Sequence, residues 1–217
     1  MPMFRVWVAD RATGKESHIT VEADDKHDAM TKVQDGNTLV ADAVEVSEPA
    51  STPNDRLAVV IDGARRVLGR FGVDPSPTEI AGRASELLQQ FEAVPSANDL
   101  AWAVLTDMGI RARSHGDLKD VFDAQARFLA TEGRDHRDAQ RRSYENELKH
   151  LAGSGVDRVE ILANDGCAEC ARQNGERWAV QDALAQMPLP CSGCTNTGVY
   201  GSPHGFCRCC YVAVFDD

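Results

Sequence analysis

The first 166 residues of this 217-residue chain contain no cysteine, and all seven cysteines fall between Cys167 and Cys210. Sulfur chemistry is therefore confined to the last quarter of the sequence. No apolar run approaches the ~20 residues that span a bilayer, so no transmembrane helix is expected. The N-terminal MPMFRVWVADRATG lacks the basic start, apolar stretch and small-residue cleavage site of a signal peptide. A cytoplasmic location is expected, and in a reducing compartment clustered thiols are expected to hold metal rather than form disulfides. Positive charge is also scarce. Lys and Arg number 23 against 34 Asp and Glu, a net charge of −11. No segment is basic overall: residues 1–50 carry −5, 51–155 carry −2 and 156–217 carry −4. A broad phosphate-binding surface is disfavoured on that ground. There is no G-x-S-x-G, no P-loop and no G-x-G-x-x-G. His18, His27, His115, His136 and His150 are scattered and form no nucleophile arrangement, so no catalytic residue is assigned.

The pattern predicts an α+β chain in three parts. Residues 1–48 read as a small β-β-α-β module. Phe4, Val6 and Val8 alternate on one strand, and Ile19, Val21 and Ala23 on a second. Asp24 or Asp25 caps a short helix through Val33, and Leu39–Val46 returns as strand. The run SEPASTPN is a linker by composition. Residues 55–152 read as a central helical bundle. Leu57, Val60, Ile61, Ala64, Val67, Leu68 and Phe71 form the stripe of its first helix, stopped by Gly72. Ser76-Pro77-Thr78-Glu79 is a capping box that opens a second helix, with Ile80, Ala84, Leu87, Leu88 and Phe91 on one face. A third helix starts at Ser96, a fourth near Asp117, and a fifth spans Arg134 to Leu151 with few apolar residues. Residues 134–142 carry Arg134, Arg137, Arg141 and Arg142. They read as a solvated face laced with charge pairs, or, more sharply, as a contact for phosphate or a partner.

Residues 156–217 read as a β-rich, zinc-stabilised domain. Cys167-Ala168-Glu169-Cys170 and Cys191-Ser192-Gly193-Cys194 are two Cys-x-x-C pairs twenty residues apart, the spacing of a zinc ribbon or a treble-clef-like site. His204, Cys207 and Cys209 follow, with Cys210 the weakest candidate. Four ligands complete one tetrahedral zinc, and Cys167, Cys170, Cys191, Cys194, His204, Cys207 and Cys209 offer seven, so one ion and two ions sharing ligands both fit. A cysteine-rich set closes the coordination sphere and points to a structural role, whereas catalytic zinc keeps an open position. So short a segment has little core of its own, and metal binding can supply folding free energy on the order of 10 kcal/mol.

Residues from about Val121 to Val214 resemble the phage Mu-type minor head, or head morphogenesis, proteins. The resemblance is carried by Ala130-Thr131-Glu132, Gly155-Val156, Asp165 with Cys167 and Cys170, Gly175, and Pro203-His204 followed by Cys207-Arg208-Cys209. Gly205 stands where that pattern has proline, and Cys191-Ser192-Gly193-Cys194 is additional. The resemblance implies a non-enzymatic adaptor that acts in head assembly through capsid or portal components. The rival readings are a zinc-ribbon nucleic-acid module using the four arginines and, further off, a metal-dependent nuclease using His204. A Cys-x-x-C oxidoreductase would want a thioredoxin-like β-α-β context that is missing.

Overall fold

The computed structural model describes residues 2–46, 53–164, 166–197 and 205–215, and they divide into two compact units, Met1–Val59 and Val60–Asp217. In the first unit, β1 (Met3–Asp10) pairs antiparallel with β2 (Glu16–Glu22) on one side and with β3 (Thr38–Val46) on the other. Helix α1 (Lys26–Val33) lies between β2 and β3 in the chain, and the Asp25 carboxylate accepts from Asp28 N–H to cap it. Period-two alternation puts Phe4, Val6 and Val8 on the buried face, where they meet Ala23, Ala29 and Ala43. The expected inward stripe of β2 holds only in part, because Ile19 is 43% exposed. The β1–β3 register slips between Trp7 and Val8, a bulge that leaves Ala41 unpaired.

Five helices follow: α2 (Pro53–Arg70), α3 (Pro77–Phe91), α4 (Ala97–Arg111), α5 (His115–Thr131) and α6 (Arg137–Gly153). Gly72, at φ +76°, ends α2 where a left-handed residue lets Val73 N–H reach back to Leu68. The capping box at Ser76 is present, with Glu79 donated to by Ser76 N–H. Ser96 Oγ accepts from Asp99 N–H to cap α4 without a full capping box, and the capping box of Ser114 with Asp117 starts α5 two residues earlier than the pattern suggested. Phe91, expected inside, is exposed at the end of α3. Helix α6 begins at Arg137 rather than Arg134, because Gly133 turns at φ +68° and Arg134 N–H still closes α5 onto Leu129.

The rest of the second unit holds β4 (Arg158–Leu162), α7 (Ala168–Gln173), β5 (Arg177–Ala179), α8 (Val180–Gln186) and β6 (Cys210–Val214). The strands form an antiparallel sheet in the order β5-β4-β6. One buried cluster joins this segment to α6: Tyr144 and Leu148 pack with Val159, Ile161, Val180, Leu189, Tyr211 and four of the cysteines. A second cluster seats Phe206 among Ala126, Leu129, Ala130 and Ala139 of α5 and α6. Among the described residues no helix is long and apolar enough to cross a membrane.

Candidate metal centre

The cysteines reach their positions on three pieces of chain. Cys167 is the N-cap of α7 and Cys170 lies one turn in. Gly166 makes that turn fit, since a β-carbon there would fall 2.4 Å from the Cys170 β-carbon. Cys191 and Cys194 sit in the loop after α8, joined by a turn in which Cys194 N–H donates to Cys191 carbonyl at 3.0 Å. Cys207 and Cys209 lie in extended chain running into β6. Alternation buries Cys207, Cys209 and Tyr211 on one face, while Arg208 points out. The same parity turns Cys210 away, and it belongs to neither sulfur group.

Two groups of sulfurs form. Cys170, Cys191, Cys207 and Cys209, all buried, lie with their sulfurs within 4.8 Å of one another, and so do Cys167, Cys170 and Cys194. Cys170 Sγ is 3.7 Å from Cys167 Sγ, 3.8 Å from Cys194 Sγ and 3.8 Å from Cys207 Sγ. These separations are far beyond a disulfide bond of about 2.05 Å. They match the edge of a tetrahedron with metal–sulfur bonds of about 2.3 Å, which is about 3.8 Å. With Cys170–Cys207 at such an edge and the other sulfurs of the tetrad within 4.8 Å of one another, the buried tetrad fits a thiophilic metal ion in geometry and in donor chemistry.

The electrostatics make the same point. Backbone N–H groups of Cys170 and Thr195 draw the Cys167 thiol down to about 6. Thr195 N–H lies 3.4 Å from its sulfur. Burial pushes the others up: Cys170 to about 12, Cys191 to about 11, Cys194 to about 12, and Cys209 higher still. Thiols this crowded and this far from water cannot ionise together unless a cation compensates them. Binding of a dication must therefore release protons, and it weakens on acidification.

Sequence reasoning missed what holds the loop from behind. Gln140 of α6 donates from Nε2 to Cys207 carbonyl at 2.8 Å and accepts from Cys207 N–H at 3.4 Å. The Tyr144 hydroxyl donates to Cys209 carbonyl at 2.6 Å and lies 3.3 Å from that of Cys207. His136 Nε2 is 3.2 Å from Gly205 carbonyl, and its ring stacks on Phe206 with centroids 5.0 Å apart. The only sequence signal was a helix too poor in apolar residues to bury itself by hydrophobicity alone.

The structure brings together Cys167, Cys170, Cys191, Cys194, Cys207 and Cys209, but it regroups the pairs. One member of each Cys-x-x-C joins Cys207 and Cys209, while Cys167 and Cys194 lie together on the outer side. His204 and Asp165 lie outside the described residues. A cleft of about 680 Å³ runs past the centre between Arg137, Arg141, Cys191, Cys194 and Cys207. The chain matches no family model, no curated protein and no solved structure.

Proposed function

We propose that this protein is a non-enzymatic adaptor whose C-terminal unit is held by zinc, and that it acts in phage or prophage head assembly through contacts with capsid or portal proteins. The observation that carries the zinc reading is the buried tetrad Cys170, Cys191, Cys207 and Cys209. Tetrahedral all-sulfur donors select zinc or an iron–sulfur centre. Four thiolates fill a tetrahedral ion's sphere and leave no position for substrate or water, so the ion is scaffolding. Metal analysis of the purified chain should return zinc with no visible charge-transfer bands. A strong chelator should abolish the cooperative melting of the unit. A metal-free chain that melts unchanged overturns the reading.

The assembly role is supported by the resemblance over Val121–Val214, including Cys207-Arg208-Cys209. Purified particles are expected to contain the chain at low copy, and its absence from them refutes the role. The nucleic-acid reading has weaker support. Arg137 pairs with Asp135 and Arg142 with Asp138, while Arg134 lies over the Trp102 ring at 5.8 Å and Arg142 over Phe122 at 5.6 Å. Little of that basic run is left for phosphate. DNA affinity that fell steeply and log-linearly with salt would restore it.

A further inference from the structure

We propose that the cysteine centre is binuclear: Cys170 Sγ bridges the closed four-sulfur site to a second, more exposed three-sulfur site that it forms with Cys167 and Cys194. The proposal rests on the reading of the buried tetrad as a zinc site. It adds a second thiophilic dication, a different ligand partition and a different accessibility.

Three observations carry it. First, the two sulfur groups share one member, and the separations from that member are alike on both sides. Cys170 Sγ lies 3.8 Å from Cys207 in the inner group, and 3.7 Å and 3.8 Å from Cys167 and Cys194 in the outer one. Such a sulfur occupies the common vertex of two metal polyhedra, and a thiolate has lone pairs enough to bind two ions. Second, one tetrahedral ion uses four sulfurs, so with a single ion in the tetrad Cys167 and Cys194 would be left as adjacent bare thiols. Thr195 N–H already donates to Cys167 Sγ, the arrangement that stabilises a ligating thiolate. Third, sharing solves the charge problem. Six thiolates around two dications carry two net negative charges, the same as four thiolates around one. Each ion displaces thiol protons to solvent, and no electron is transferred.

Burial then sets the two sites apart. Cys170, Cys191, Cys207 and Cys209 are buried, whereas Cys167 and Cys194 are only partly so. The outer ion is the one that loads and leaves from the surface, where Cys167 and Cys194 are partly exposed.

Native mass spectrometry of the full chain should find two zincs, with one removed by a weak chelator while the protein stays folded. Cys194→Ser and Cys167→Ser should each lower the count from two to one and keep the cooperative melt. Replacement by ¹¹³Cd should give two resonances, split by scalar coupling through the shared sulfur. A single metal that survives both substitutions overturns the second site and leaves the tetrad standing. Two uncoupled resonances, or loss of both ions from either variant, overturn the bridge. No metal at all in a folded chain refutes the underlying zinc reading as well.

Discussion

Substituting Gly205 by alanine tests how closely the cysteine loops approach. A β-carbon at Gly205 would sit 1.9 Å from the Cys194 carbonyl oxygen, 2.6 Å from its carbon and 3.1 Å from Thr195 N. Carbon–oxygen contacts do not normally close below about 3.3 Å. One loop must therefore retreat by more than about 1 Å, and both obstacles are backbone. The movement cannot stay local, because Cys194 lies in one sulfur group and Cys207, two residues beyond Gly205, lies in the other. Metal–sulfur distances tolerate only about 0.2 Å. Overpacking typically costs about 1–3 kcal/mol, and rigid neighbours place this case at about 3. At about 2–4 °C per kcal/mol for a unit of this size, Tm should fall by roughly 6–12 °C in calorimetry of the metal-loaded protein. Two other glycines calibrate the experiment. Gly193→Ala meets only the Glu169 side chain, at 3.0 Å, which can swing aside, so its cost should stay below about 1 kcal/mol. Gly69→Ala, in α2 with nothing within 4 Å, should gain about 0.5–1 kcal/mol from helix propensity. A G205A protein that keeps its metal and melts within about 2 °C of the parent would refute the close approach.

Tyr144→Phe removes the hydroxyl that donates to Cys209 carbonyl and leaves that buried acceptor without it; urea denaturation at saturating zinc, where occupancy stays full, should show a loss of about 1–3 kcal/mol, and an unaltered midpoint would show that the hydroxyl carries nothing. Burial raises Glu147 to about 7 from an ordinary 4.5, so the folded protein holds a proton there that the unfolded chain releases. The stability this gives is complete below about pH 4.5 and is lost as pH rises toward 7, a change on the order of 2 kcal/mol for a half-buried group. Relative to Glu147→Gln, the parent should therefore weaken across that window; measuring the difference at saturating metal cancels thiol protonation common to both, and parallel pH profiles would refute the raised value.

Much of the fold follows from local signals in the sequence. The strand of Phe4, Val6 and Val8, the cap at Ser76 and the stop at Gly72 each depend on residues within a few positions, and each stands where the pattern puts it. Where burial departed from the pattern, as at Ile19, which pairs opposite Val6 yet is 43% exposed, and at Phe91, tertiary packing decided how much of a correctly placed apolar face was covered. The cysteines announce a thiophilic centre by their density alone. Their partition was not legible, because Cys-x-x-C spacing says which sulfurs are near in sequence. Which member of each pair turns toward Cys207 and Cys209 depends on α7 for Cys170 and on the turn after α8 for Cys191, with β6 pairing on β4 placing their partners. The clamp of Gln140 and Tyr144 was illegible for a different reason. Its acceptors and donors are backbone groups of a loop more than sixty residues away, and backbone leaves no mark in a composition.

That clamp is part of why α6 reads so poorly as an amphipathic helix. Its N-cap His136 and its buried Gln140 bond the cysteine loop, while Ser143 donates to the Lys119 carbonyl of α5 and Asn146 to the Arg142 carbonyl of α6. An apolar face there would strand the backbone of Cys207–Cys209, since an extended segment beside a helix has no strand on that side to satisfy its carbonyls. In such a segment side chains and carbonyls leave the chain in different directions. The sulfurs of Cys207 and Cys209 can therefore face the metal group while their carbonyls face α6. The segment is gripped from two sides by unlike chemistries, and each fixes the geometry the other needs. The helix holds two sulfurs at the spacing a tetrahedral ion requires, and the ion keeps those carbonyls within reach of Gln140 and Tyr144. Metal affinity and helix packing are on this account one coupled quantity: whatever loosens α6 must weaken metal binding by the same free energy with which metal binding tightens α6.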